Sequence, residues 1–295
     1  MSLTINNNMM AQNAARNLGN SYKNLATSVQ RLSSGLRVNS AADDAAGLAI
    51  RELMRADITA LNQGVRNAND AISLIQTADG SLGIIDEKLI RMKELAEQAA
   101  TGTYTSDQRL MIESEYQAMA SEITRIANST DFNGVHLLNG NLSGGHDGDT
   151  PTPTGQLKVH FGPGNDAEED YYYIEIADCT ASALGVGSQA DSDAAAYTVS
   201  TQTQAQKALE GIAEAITSKD KVRAHLGSLQ NRLENTVSNL QIQSENLQAA
   251  ESRISDVDVS TEMTQFVRNQ ILTQSAVAML SQANSLPQMA MQLIG

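Results

Sequence analysis

The sequence is poor in the residues that build compact catalytic cores and disulfide frameworks. It has no Trp, and aromatic residues make up only 3% of its 295 positions. An enzyme of this length normally spends more aromatic area on its core and its pocket. Cys179 is the only cysteine, which excludes an intramolecular disulfide and a cysteine metal cluster.

Proline, basic charge and long apolar runs are also scarce. The net charge of −14 makes nucleic acid and anionic membranes poor partners. No stretch approaches the roughly 18 apolar residues of a membrane span, and residues 1–20 lack the pattern of a cleaved secretory signal. Long segments on both sides of the middle contain no helix-breaking proline, because the four prolines are Pro151, Pro153, Pro163 and Pro287. We therefore expect long helices, no membrane insertion and no nucleic-acid partner.

Apolar residues recur instead at coiled-coil spacing. A second helix is predicted after the Asp43–Asp44 pair, because carboxylates suit a helix N-terminus, and a third after a turn at 102–106. A single apolar stripe must be covered by a partner helix. We predict a mainly α fold, in which the N- and C-terminal segments form a long antiparallel coiled coil or helical bundle. The first helix carries the stripe Leu18, Tyr22, Leu25, Val29, Leu32 and Leu36.

The middle of the chain has a different character. Residues 139–155 are rich in Gly, Pro, Asp and Thr, which is typical of loops. Residues 156–161 and 171–177 predict two short strands joined by a long turn. The helical core is therefore discontinuous in sequence, with a small β-hairpin region at about 139–198.

The two ends of the sequence are unusually apolar. No Glu precedes Glu52, and Arg268 is the only charged residue after Glu262. The ends can pair inside a monomer, lie on a membrane surface or bury themselves against copies of the chain. The second alternative lacks the usual Lys/Arg-rich face, and the third builds a filament when a head-to-tail contact does not close. We expect polymerisation surfaces that become ordered on assembly; in the C-terminal segment they include Phe266, Ile271, Met279, Leu280, Leu286 and Leu293.

Several sequence blocks resemble one known family. Residues 31–50, RLSSGLRVNSAADDAAGLAI, with INNN at 5–8, resemble the signature of bacterial flagellins. Further blocks similar to family landmarks follow in the family's order at 132–135, 181–185, 229–233, 252–256 and 283–288. The resemblance covers essentially the whole chain.

This resemblance implies a structural subunit of the extracellular flagellar filament that serves motility. It implies a homopolymer and type III export without a cleaved signal. The implied partners are an export chaperone at the C-terminal segment, a filament cap and hook-junction proteins. Residues 1–45 plus 256–295 would form an inner terminal helical domain that lines the channel. Residues 46–255 would form an outer helical-bundle domain with the hairpin region, and no large surface domain is expected.

The resemblance also implies recognition by the vertebrate Toll-like receptor for flagellin. The residues that match this motif are Arg91, Leu95 and Glu115. Spacing places Arg91 and Leu95 at i and i+4, away from the stripe of Leu89, Met92, Ala96 and Ala99. We therefore expect Arg91 and Leu95 to be exposed as a receptor or inter-subunit contact.

Nothing in the sequence indicates catalysis, a cofactor or a metal. The four histidines lack metalloprotease spacing, and no G-x-S-x-G motif is present. The acidic run at 166–170 does not match a calcium loop. Two alternatives to a filament subunit stay open: a hook–filament junction adaptor of the same superfamily, and a type III-secreted coiled-coil effector. The block at 31–50 and the short middle favour the filament subunit.

Overall fold

The computed structural model describes residues 8–145, 155–167, 169–191 and 194–294; side chains at 286–288 and 290–294 are not described. The described helices are α1 (Met9–Ser34), α2 (Ala45–Ala100), α3 (Ser106–Ser129), α4 (Gln202–Ser255) and α5 (Val259–Ile294). The described strands are β1 (Asp131–Phe132), β2 (Val135–His136), β3 (Leu157–His160) and β4 (Tyr171–Ile174). The predicted mainly α fold with a small β region is confirmed.

Local sequence signals set the ends of the helices. Gly35 ends α1 in the left-handed conformation at φ 73°, where glycine is favoured and a side chain is strained. Asp44 accepts a hydrogen bond from a backbone N–H in the first turn of α2, as the acidic pair predicted. Thr105 and Gln108 form a reciprocal capping box at the start of α3.

The chain divides into two compact units. The terminal unit comprises residues 1–58 and 245–295, and the central unit comprises residues 59–244. Both divisions fall inside long helices, α2 and α4, so neither coincides with a loop. The expected boundaries after residues 45 and 255 separate an inner from an outer domain of a filament. They stay a prediction.

The central unit is built on antiparallel contacts of α2 with α3 and with α4. The Arg109 guanidinium of α3 donates to the backbone oxygen of Ala99, 3.0 Å away. Lys219 of α4, almost completely buried, places its Nζ 2.5 Å from a carboxylate oxygen of Asp86. The apolar core of this unit includes Leu89, Met92, Ala96 and Ala99 of α2, which confirms the stripe predicted for this helix. Leu82 and Ile85 of α2 belong to the same core.

Strands β3 and β4 form the expected hairpin, and the end of β3 packs against α2. The strands pair antiparallel, with Leu157 opposite Ile174. A side chain at Gly64 of α2 would collide with the backbone oxygen of Phe161, since a Cβ there would lie 1.9 Å from it. The Arg232 guanidinium lies over the Tyr172 ring at 3.6 Å, which attaches the hairpin to α4. Part of the predicted loop, residues 146–154, lies outside the described residues.

The terminal unit consists mainly of α1 packed along α5. The side chain of Asn8 donates to the backbone oxygen of Ala283 at 2.8 Å, and Arg31 pairs with Glu262 at 3.6 Å. The start of α1 therefore lies beside the end of α5, which confirms the predicted antiparallel pairing. The prediction that the helical stripe of α1 includes Leu36 was wrong. Leu36 lies beyond the end of α1 and forms an isolated bridge with Asp256.

Candidate functional site

The contact between α1 and α5 has seven-residue periodicity but few large apolar residues. We call the contacting positions of the two helices the seam. On α5 the least exposed positions are Glu262, Phe266, Asn269, Thr273, Ala276, Leu280 and Ala283. On α1 the little-exposed positions that repeat every seven residues are Ala14, Leu18, Ser21, Leu25, Ser28 and Leu32. Eight of these 13 seam residues are small or polar, so the seam uses only part of the apolar surface that the two helices carry.

The predicted stripe of α1 is divided by the structure. Leu18, Leu25 and Leu32 lie on the seam. Tyr22 is 53% exposed and Val29 is also about half exposed, because each lies one residue past a seam serine. The seam therefore covers only part of this stripe, and the role of these residues in polymerisation stays a prediction.

The predicted residues of α5 divide in the same way. Phe266 and Leu280 lie on the seam, whereas Ile271 and Met279 are 56% and 62% exposed. The side chains of Leu286 and Leu293 lie outside the described residues. Other apolar side chains of α5 are exposed as well: Val259, Met263, Val267, Leu272, Val277 and Met289. The sequence feature that indicates these residues is that apolar side chains occur on every face of α5, as in helices that have several apolar neighbours.

Polar groups hold the start of α5 and one end of the seam. Asp258 caps α5, and hydrogen bonds from the hydroxyl and backbone N–H of Thr261 lower the pKa of its carboxyl group. Glu262 is almost buried against Arg31, whose Nε atom is buried without a hydrogen-bond partner. The pair thus joins the C-terminal end of α1 to the N-terminal end of α5.

The second predicted site lies on α2 and α3 and is only partly at the surface. Arg91 places its Nη2 2.7 Å from a carboxylate oxygen of Glu115, and both side chains are about half exposed. The hydrogen bonds that Arg91 donates to Glu115 are the largest cause of the raised pKa of Arg91. The prediction that Leu95 is exposed was wrong, because its side chain is only 1% exposed and belongs to the core. Since α2 packs against both α3 and α4, it buries a wider arc than one stripe predicts.

Other apolar residues of the central unit, and not Leu95, are exposed near the Arg91–Glu115 pair in the sequence of α2 and α3. Met111 is 73% exposed and lies one helical turn before Glu115 on α3. Ile90, next to Arg91 in sequence, is about half exposed, as is Ile84 two turns before Arg91. Side chains with apolar character therefore accompany the exposed Arg91–Glu115 pair.

Neither a metal site nor a membrane span is found in the described part of the chain. No group of three or more His, Cys, Asp or Glu side chains there could hold a metal ion. None of the described helices has both the length and the apolar character that crossing a membrane requires.

Comparison with known proteins identifies the family. The family model of the bacterial flagellin N-terminal helical region matches residues 5–143, and that of the C-terminal helical region matches residues 209–294. The chain belongs to the bacterial flagellin family. It is 42% identical to a flagellin of Halalkalibacterium halodurans, over 99% of this chain and all of that protein. The resemblance described from the sequence is thereby confirmed.

Two further relatives extend the comparison. The chain is 41% identical to the flagellar filament 33 kDa core protein of Treponema phagedenis, over 99% of this chain and the whole of that protein. A solved Vibrio parahaemolyticus structure, described as a flagellar hook-associated protein, superposes with a TM-score of 0.55 at 14% identity. That match covers 72% of this chain and all of the other chain, and it supports the fold alone.

Proposed function

We propose that this chain is a structural subunit of a bacterial flagellar filament, and that it polymerises by burying the exposed apolar surface of α1 and α5 against neighbouring copies. The observation that carries the proposal is the composition of the seam. Ser21, Ser28 and Asn269 fill contact positions, whereas Tyr22 and Ile271 point away from them. Membership of the flagellin family supports the same function.

The physical basis is the hydrophobic effect. Burial of apolar surface contributes about 25 cal/mol per Å². Soluble monomers rarely leave large contiguous apolar patches exposed, and such patches mark interaction sites. On α5 the exposed apolar side chains surround a helix whose charged residues are only Glu262 and Arg268. A surface with so little charge is suited to burial between subunits.

The finer roles form part of the same proposal. Residues 1–45 and 256–295 would line the filament channel, and residues 46–255 would form the surrounding tube. Type III export, a chaperone on the C-terminal segment, a cap protein and hook-junction proteins would bring the subunit to the growing end. Family membership supports these roles, and a chain with such a function has no need of catalysis or a cofactor.

We also propose that the Arg91–Glu115 surface is a contact for a neighbouring subunit or for the vertebrate Toll-like receptor. Its support is the exposed ion pair with Met111 beside it. Leu95 acts only indirectly here, by holding α2 in the core. Met111→Asp should weaken receptor activation by the soluble monomer, or filament assembly, at unchanged stability. Wild-type behaviour of this variant in both assays would contradict the proposal.

Electron microscopy after addition of ammonium sulfate tests the main proposal, because this salt strengthens apolar burial. We expect long uniform filaments from the natural chain and monomers from Ile271→Asp. Ile242→Asp on α4 is the matched control, since Ile242 is equally exposed, at 58%, but lies in the central unit. Loss of assembly in both variants would contradict the assignment to α1 and α5.

The same experiment separates the filament subunit from the adaptor alternative. A hook–filament junction adaptor would not form long filaments by itself. If the natural chain stays monomeric even with added filament seeds, the adaptor or effector interpretation replaces the proposed function.

A further inference from the structure

The α1–α5 pair has two different edges, one on each side of the seam. The first, the tyrosine edge, comprises Tyr22 and Val29 of α1 with Met263 and Val277 of α5, all about half exposed. The second, the asparagine groove, is an open cavity of about 640 Å³. Its lining includes Asn13, Asn17, Asn20 and Asn24 of α1 opposite Leu272 and Met279 of α5.

Helical geometry puts these edges on opposite sides of the pair. Tyr22 follows the seam residue Ser21, whereas Asn17 and Asn24 each precede a seam leucine. Because successive residues are rotated by about 100°, positions just before and just after a seam residue point to opposite flanks. The same rule separates Val277 from Met279 on α5, which follow Ala276 and precede Leu280, respectively.

We propose that the asparagine groove of one copy receives the tyrosine edge of the next copy. This inference rests on the proposed function and specifies its contact. The Tyr22 ring would pack on Leu272 and Met279, and its hydroxyl would pair with side-chain amides of the groove. A buried tyrosine hydroxyl needs such a partner, and each amide offers both a donor and an acceptor.

The separation of the two edges argues for this pairing over self-pairing. When an edge pairs with the identical edge of another copy, the contact is two-fold symmetric and closes as a dimer. A contact between two different edges on opposite sides leaves one of each free, so the next copy can add. The shapes of the two edges are also complementary, because the groove is concave and the exposed tyrosine ring can enter it.

Cysteine cross-linking in assembled filaments tests the contact. All variants carry Cys179→Ala, so that introduced thiols are the only ones. Tyr22→Cys is combined in one chain with a cysteine at Asn13, Asn17, Asn20 or Asn24, and filaments are oxidised and run on non-reducing gels. For at least one combination we expect a ladder of multimers. The matched control, Lys23→Cys with the same groove cysteine, should give none, since Lys23 points away from both edges.

The outcomes separate the inference from the proposed function. Dimers from Tyr22→Cys alone would show self-pairing and overturn the inference, as would filaments that give no ladder with any groove position. If the natural chain, run in parallel, forms no filaments, the proposed function itself fails and the inference fails with it.

The hydroxyl is tested separately by Tyr22→Phe. Loss of one net hydrogen bond corresponds to about a fivefold rise in the critical concentration for assembly. An unchanged critical concentration, measured by sedimentation, would overturn the pairing of this hydroxyl with the amides.

Discussion

At the scale of single residues, burial changes what a substitution at Leu95 means. Leu95→Asp places a charge in the core of the central unit, and we expect it to lower the free energy of unfolding by about 3–5 kcal/mol. Urea unfolding of the monomer checks this value. Arg91→Gln, at the exposed neighbouring pair, should leave the unfolding midpoint unchanged. Equal stability of Leu95→Asp and the natural chain would contradict the core position.

The buried thiol of Cys179 and the buried phenol of Tyr116 make the stability of the fold depend on pH in the alkaline range. Burial raises the pKa of the Cys179 thiol to about 12 from 9.0 and also raises the pKa of Tyr116, whose hydroxyl donates to the Ala196 carbonyl. Both groups keep their proton in the folded state where the unfolded chain loses it. Their contribution is therefore complete below about pH 9 and is lost as pH rises towards 12, by up to about 1.4 kcal/mol per pH unit and group.

Urea unfolding at pH 8 and pH 11 measures this loss. The double variant Cys179→Ala and Tyr116→Phe should show a shallower decline with pH than the natural chain, although it is less stable at pH 8. An identical decline in both proteins would mean that other groups cause it.

At the scale of elements, the hairpin depends on a missing side chain in α2. Gly64→Ala would force the chain at Phe161 away from the helix, and we expect a loss of about 1–3 kcal/mol. Gly80→Ala in the same helix is the control, because nothing lies within 4 Å of its added Cβ. That variant should gain about 0.5–1 kcal/mol from helix propensity. Thermal unfolding measures both, and destabilisation of equal size would contradict the close approach at Gly64.

The periodicity of apolar residues predicted the helices and strands better than it predicted which face of each helix is buried. The long helices, their antiparallel pairing and the hairpin follow from apolar spacing and turn residues, which are local properties. The seam did not follow, because Ser21 and Ser28 carry no apolar signal while Tyr22 and Val29 beside them do. Which face of α1 is covered depends on α5, and which face of α2 is covered depends on two neighbours. Such information is spread over the whole chain.

At the scale of the whole molecule, the two units differ in how they are stabilised. The central unit has a core of buried Leu, Ile and Met side chains, whereas the terminal pair is joined by a seam in which small and polar residues alternate with leucines. A pair of helices with so little buried apolar surface opens easily. We therefore expect amides at 9–34 and 259–285 of the dilute monomer to exchange far faster than those at 82–99.

Assembly should reverse this difference. When neighbouring copies cover Tyr22, Ile271 and Met279, apolar burial offsets the entropy cost of ordering α1 and α5, so their amides should become as protected as the central core. Hydrogen exchange of monomers and filaments, read by mass spectrometry, compares the two states. Ile271→Asp, kept monomeric under the same salt, shows whether protection comes from assembly or from the salt. Strong protection of both helices in the dilute natural monomer would mean that the seam alone stabilises them, and the exposed apolar residues would then need another explanation.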